Sequence, residues 1–138
     1  MKNRFKKEYL VSLIVEPQSE NLEKVSKLLK IPYSNGSCNK GDMVSRNRKS
    51  KRTVWRYKIG TKNKRNLDGL IGKLITVLER SLLKRKRSFP GKWKVYLDIA
   101  VLYNTYTCSF EIKANHLEWF SKRGIGLLAS CYPTVFKN

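Results

Sequence analysis

Leu67-Asp68-Gly69-Leu70-Ile71-Gly72-Lys73-Leu74-Ile75-Thr76-Val77-Leu78-Glu79-Arg80-Ser81-Leu82-Leu83 is the stretch whose periodicity decides the fold. Leu67, Leu70, Ile71, Leu74, Ile75, Leu78 and Leu82 fall on one stripe of a helical repeat, so residues 67–83 are expected to form a helix that buries this stripe. Asn66 stands where a capping side chain is needed. Lys84-Arg85-Lys86-Arg87 follows at once, and although a helix C-terminus favours cations, four in a row exceed what its dipole requires.

Working outward, Tyr9-Leu10-Val11-Ser12-Leu13-Ile14-Val15 is a β-branched and aliphatic run ended by Glu16-Pro17, which reads as a well-buried strand. Residues 20–29 place Leu22, Val25, Leu28 and Leu29 on one helical face, with Ser19 as a cap and Ile31-Pro32 as a stop. Residues 33–52 are rich in Ser, Asn, Gly, Lys and Arg and read as a long basic loop, a length that is uncommon unless the loop is functional or disordered. Between 53 and 59, Trp55, Tyr57 and Ile59 alternate with Val54, Arg56 and Lys58, a strand with one wet, basic face.

Beyond the long helix, residues 93–101 and 106–112 both alternate and flank a turn at 103–105, so a hairpin is expected. Asn115 can cap a short helix carrying Leu117 and Phe120, which ends at Arg123-Gly124, and residues 127–135 form a closing strand. The expectation is one α+β domain over residues 1–138, with a basic tail at 1–8 and the order β-α-β-α-β-β-α-β. Its sheet is mixed or antiparallel, with helices packed mainly on one face.

Thirty basic residues against ten acids give a net charge of +20, an excess that repels itself in the compact state and calls for an anionic partner. The excess is patched. Residues 40–65 hold eleven basic side chains and a single acid, Asp42, while residues 84–94 hold six basic side chains and no acid. The candidate contact surface is therefore Arg46, Arg48, Lys49, Lys51, Arg52, Arg56 and Lys58, continued by Lys84, Arg85, Lys86 and Arg87. No apolar run approaches the roughly 18 residues of a membrane span, and residues 1–7 lack the apolar stretch of a secretory signal. Cys38, Cys108 and Cys131 form no CxxC pair and cannot all be paired internally, so a reducing, cytoplasmic setting is expected, with Cys108 and Cys131 as small core residues.

Catalytic constellations are missing from the sequence. His116 is the only histidine and reads as a helix-surface residue, the acids Asp42, Asp68, Asp98, Glu111 and Glu118 are scattered, and no phosphate-cradling or zinc-finger spacing occurs. No enzymatic activity, metal or cofactor is expected. Trp55, Tyr57 and Trp93 lie among basic residues where bases could stack, yet their alternating positions favour the core. Gly41 supplies a turn and Asp42 an Asx-type bond to nearby backbone, with Arg46, Arg48 or Arg52 within reach as an ionic strut.

Lys40-Gly41-Asp42, the basic loop after it and Trp55 at the head of a strand resemble an uncharacterised bacterial family, a domain of unknown function with a Gly-Asp loop and a strand Trp. The likeness covers residues 9–136 and implies a small stand-alone domain, sometimes encoded among toxin and immunity genes. It carries over no catalytic residues. What it implies is an immunity-type inhibitor that blocks a cognate acidic toxin domain through the basic surface. Composition alone favours a nucleic-acid-binding protein that contacts phosphate; the resemblance tips the expectation narrowly to the inhibitor, with nucleic-acid binding as the alternative.

Overall fold

Strand β1 (Lys7–Glu16) carries apolar side chains on both of its faces, which suits an interior strand and no other position. In the computed structural model, which describes residues 6–59, 64–81 and 89–136, β1 indeed pairs on both sides. One neighbour is β5 (Lys94–Tyr103), antiparallel with Leu13 opposite Leu97; the other is β4 (Trp55–Lys58), antiparallel with Val15 opposite Trp55. Strand β6 (Gly126–Pro133) joins β5 in parallel, giving the order β4-β1-β5-β6. A separate ribbon is formed by β2 (Met43–Ser45) and β3 (Arg48–Lys49).

Three helices cover one side of the sheet. The odd-numbered residues Val11, Leu13 and Val15 of β1 and Val95, Leu97, Ile99 and Val101 of β5 share one core with side chains from α1 (Leu22–Leu29), α2 (Leu67–Glu79) and α3 (Ala114–Lys122). Helix α2 contributes Leu67, Leu70, Ile71, Leu74 and Leu78, the expected stripe, and Asn66 caps it by accepting from the Gly69 N–H at 3.0 Å. It ends at Glu79, earlier than the periodicity suggests; Leu82 and Leu83 lie outside the described residues, as do Lys84, Arg85, Lys86 and Arg87. The α+β class and the mixed sheet with helices on one side are as expected.

Other expectations are corrected. Asn21, not Ser19, caps α1, accepting from the Lys24 N–H at 2.8 Å, and Lys30 closes that helix in the left-handed region. Lys113 rather than Asn115 precedes α3, while Gly124, at φ +70°, does occupy the left-handed position after it. Residues 106–112 belong to no strand, because β6 occupies the side of β5 that a hairpin partner would need. Their alternation is still real: Cys108, Phe110 and Ile112 are half-buried against the core, and Cys108 is bonded to Cys131 of β6. The two cysteines are thus a disulfide that staples this segment to the sheet, and the inference of a reducing compartment from unpaired thiols loses its basis.

Trp55 is fully buried, and its indole N–H donates to Ser26 Oγ of α1 at 2.9 Å. It is a core residue that ties β4 to α1, so it cannot stack on a base. Replacing Trp55 with Ala should cost about 3–5 kcal/mol in chemical denaturation, through lost burial, an empty cavity and an orphaned hydroxyl. A loss below about 1 kcal/mol would contradict this placement.

Candidate functional site

The basic stretch of residues 40–52, expected to be a loop, folds into the β2–β3 ribbon. Ser45 pairs with Arg48 across a two-residue turn of Arg46 and Asn47, and a register irregularity lies between Met43 and Ser45. Neither turn residue has a positive φ, so the turn is not one of the primed types that match strand twist, and the irregularity accompanies the mismatch. At the stem, the Gly41 N–H donates to Ser50 O and the Ser50 N–H donates to Asp42 O, both at 2.8 Å. Gly41 has φ +92° with open space around it, so glycine is required there by backbone conformation alone.

Asp42 bonds to nearby backbone. Its Oδ2 accepts from the Asn39 N–H at 2.7 Å while its own N–H donates to Asn39 O at 3.0 Å, so the side chain closes a turn over residues 39–42 by bonding three residues back, where the expected Asx-type turn would bond two residues on. The strut to Arg46, Arg48 or Arg52 is not formed. The carboxylate is instead spent on the stem, and it leaves the ribbon's outer cations unneutralised.

Arg46, Arg48, Lys49, Lys51 and Arg52 are all exposed, as is Lys58 on β4. Arg52 reaches Glu16 at the end of β1, a pair that anchors the ribbon's base. Arg56 is different: half-buried on the sheet face away from the helices, it donates to Asp98 Oδ2 of β5 at 3.1 Å. Its charge is committed to the sheet, so only part of the expected patch is free to meet a ligand. Arg46, Arg48, Lys49 and Lys51 are the exposed part of that patch with no acid paired to them among the described residues.

Two side chains that sequence reasoning passed over share the ribbon. Met43 is 58% exposed and Val44 is 49% exposed, so the strand between the cations is apolar and open to solvent. Their signal was a strand too short to show alternation. Tyr57 is half-buried beside Trp55, and Trp93 donates its indole N–H to Glu20 Oε2 at 2.7 Å. The Ser19 N–H and this indole hold the Glu20 carboxyl below the usual carboxylate range.

His116 is also corrected. Rather than lying free on a helix surface, it is largely buried with Nδ1 3.2 Å from Asp68 Oδ1 of α2, and Lys113 Nζ approaches Asp68 Oδ2 at 3.2 Å. This cluster joins the start of α3 to the start of α2. Among the described residues no group of three or more His, Cys, Asp or Glu side chains converges as metal ligands would, and no helix is long and apolar enough to cross a membrane.

Compared with protein-family models, with curated proteins and with solved structures, the chain matches none. The geometry of the ribbon therefore carries the functional reading.

The two classes of arginine should separate on substitution. Arg48→Ala or Lys49→Ala should change stability by no more than about 0.5 kcal/mol, since each is exposed and unpaired with any acid. Arg56→Ala should cost about 1–2 kcal/mol by leaving the largely buried Asp98 carboxylate without its donor. Equal losses in thermal or urea unfolding would contradict the distinction.

Proposed function

We propose that this protein is a non-enzymatic nucleic-acid-binding protein that grips a phosphate backbone with its basic β-ribbon. The observation that carries the reading is the bonding of Asp42 to the Asn39 backbone, which leaves Arg46 at the turn, Arg48 and Lys49 on β3 and Lys51 just beyond it exposed with no acid paired to them among the described residues. A two-stranded ribbon is narrow enough for the major groove of a duplex, about 12 Å wide, and cations along it replace condensed counterions. Arg46 and Asn47 at the tip are residue types that hydrogen-bond base edges.

A second reading has its own support. Met43 and Val44 give the ribbon an apolar centre within a charged rim, the pattern of a protein interface, and this favours the inhibitor of an acidic toxin domain. In that case charge steers the encounter while the apolar centre holds the complex.

Salt separates the two. Binding to a DNA duplex should weaken with a log–log slope of about −3 to −5, close to one released counterion for each ribbon cation, and charge reversal of Arg46, Arg48, Lys49 and Lys51 to Glu should abolish it. Met43→Ser with Val44→Ser should leave that slope unchanged. A wild-type protein that binds neither duplex nor single strands at low salt refutes the nucleic-acid reading, and capture of an acidic protein that Met43→Ser with Val44→Ser destroys replaces it with the second.

A further inference from the structure

The two edges of the sheet are finished differently. Along β4, residues 34–38 cover the outer edge: the Ser34 N–H donates to Arg56 O at 2.7 Å, the Arg56 N–H to Ser37 Oγ at 2.9 Å and the Lys58 N–H to Ser34 Oγ at 3.0 Å, while Cys38 and Val54 exchange a backbone pair. Strand β6 has no such cover. Among the described residues its only strand partner is β5, and no backbone bond reaches its outer edge.

An open edge is a template for another strand, and proteins that must stay monomeric blunt it with lysine, a bulge or proline. In Gly-Leu-Leu-Ala-Ser-Cys-Tyr-Pro there is no charge at all, and the single proline stands at the last position, Pro133. Leu127, Leu128 and Tyr132 are 49%, 49% and 52% exposed. A chain of net charge +20 has left its longest open edge neutral and apolar.

We infer that β6 pairs antiparallel with β6 of a second copy of this chain, joining two four-stranded sheets into one of eight. Same-face pairing requires that opposed residue numbers sum to an even value, because a slip of one residue would swap the faces. The register that sets Ser130 opposite Ser130 places Leu128 of each copy against Tyr132 of the other on the helix-free face, and Ala129 against Cys131 on the helix side. It also carries Val135, 92% exposed, toward the start of the other copy's β6. A groove of about 690 Å³ lies there, lined by Trp93, Lys94, Tyr96, Gly126 and Leu127, and it can seat that side chain.

The register is self-complementary, and a neutral edge lets a second copy approach despite the charge of each chain. The basic ribbon sits at the β4 edge, so pairing through β6 sends the two ribbons to opposite ends. Seven strand spacings of about 4.8 Å put the two β4 strands roughly 34 Å apart, several times the screening length of about 8 Å at physiological salt. The repulsion between the two ribbons is thereby kept away from the contact. This inference rests on the edge itself and does not depend on what the ribbon binds.

Sedimentation equilibrium without nucleic acid tests it. The wild type should reach twice its 16.1 kDa mass. Leu128→Lys with Tyr132→Lys sets like charges opposite each other twice and should weaken the dimer by about tenfold or more. Leu128→Lys with Tyr132→Glu sets opposite charges there and should restore it. Circular dichroism checks that both variants keep the fold, and reversal of the ribbon charges should leave the dimer intact. A wild type monomeric at every concentration, a Lys/Lys variant that dimerises as tightly as wild type, or a Lys/Glu variant no tighter than Lys/Lys overturns the pairing.

Discussion

Burial of the α2 stripe against the odd-numbered face of β1 is the contact on which the other elements depend. Leu13, Val15, Ile71, Leu74 and Leu78 are all fully enclosed, so removing either layer would expose the other. The strand can hold that central place because its even-numbered side is also fit for burial, with Ile14 and Ser12 scarcely exposed. Tertiary burial is what makes α2 stable, since two of its thirteen residues are Gly69 and Gly72, which disfavour a helix on their own.

That arrangement decides where charge can go. With the helices on one face, the other face must be polar or self-neutralised, and it is the latter: Arg56 with Asp98 crosses from β4 to β5, and Arg52 with Glu16 closes the end of β1. Acids are few, and these pairs use two of them while the ribbon stem uses Asp42. Arg46, Arg48, Lys49 and Lys51 therefore stand together on the ribbon as exposed cations with no acid paired to them among the described residues. A run of positive charge thus lies beyond one edge of the sheet, and the strand at the opposite edge, β6, carries none.

What could be read in advance follows from the range of each interaction. Helix α2, its Asn66 cap and the Gly124 turn depend on neighbours within a few positions, and local spacing displays them. Trp55 in the core was legible from alternation alone. Alternation reports which side chains face the core and says nothing of hydrogen-bond partners, so residues 106–112 looked like a strand while being an irregular segment held by Cys108. Pairs such as Cys108 with Cys131, Arg56 with Asp98 and His116 with Asp68 arise only when separate elements meet. In the ribbon, two strands of three and two residues were too short for any period to register, and the bond from Asp42 to nearby backbone could be guessed only in kind.

The central claim is that an anionic partner docks on the ribbon and not on the sheet's polar face or its open edge. Amide chemical-shift mapping of the protein titrated with a short DNA duplex tests it most directly. The account predicts shifts confined to residues 40–52 and their neighbour Lys58, with Arg56, α3 and β6 unmoved. Shifts centred on Arg56 and Asp98, on β6 or on the cluster around His116, with the ribbon silent, would contradict it.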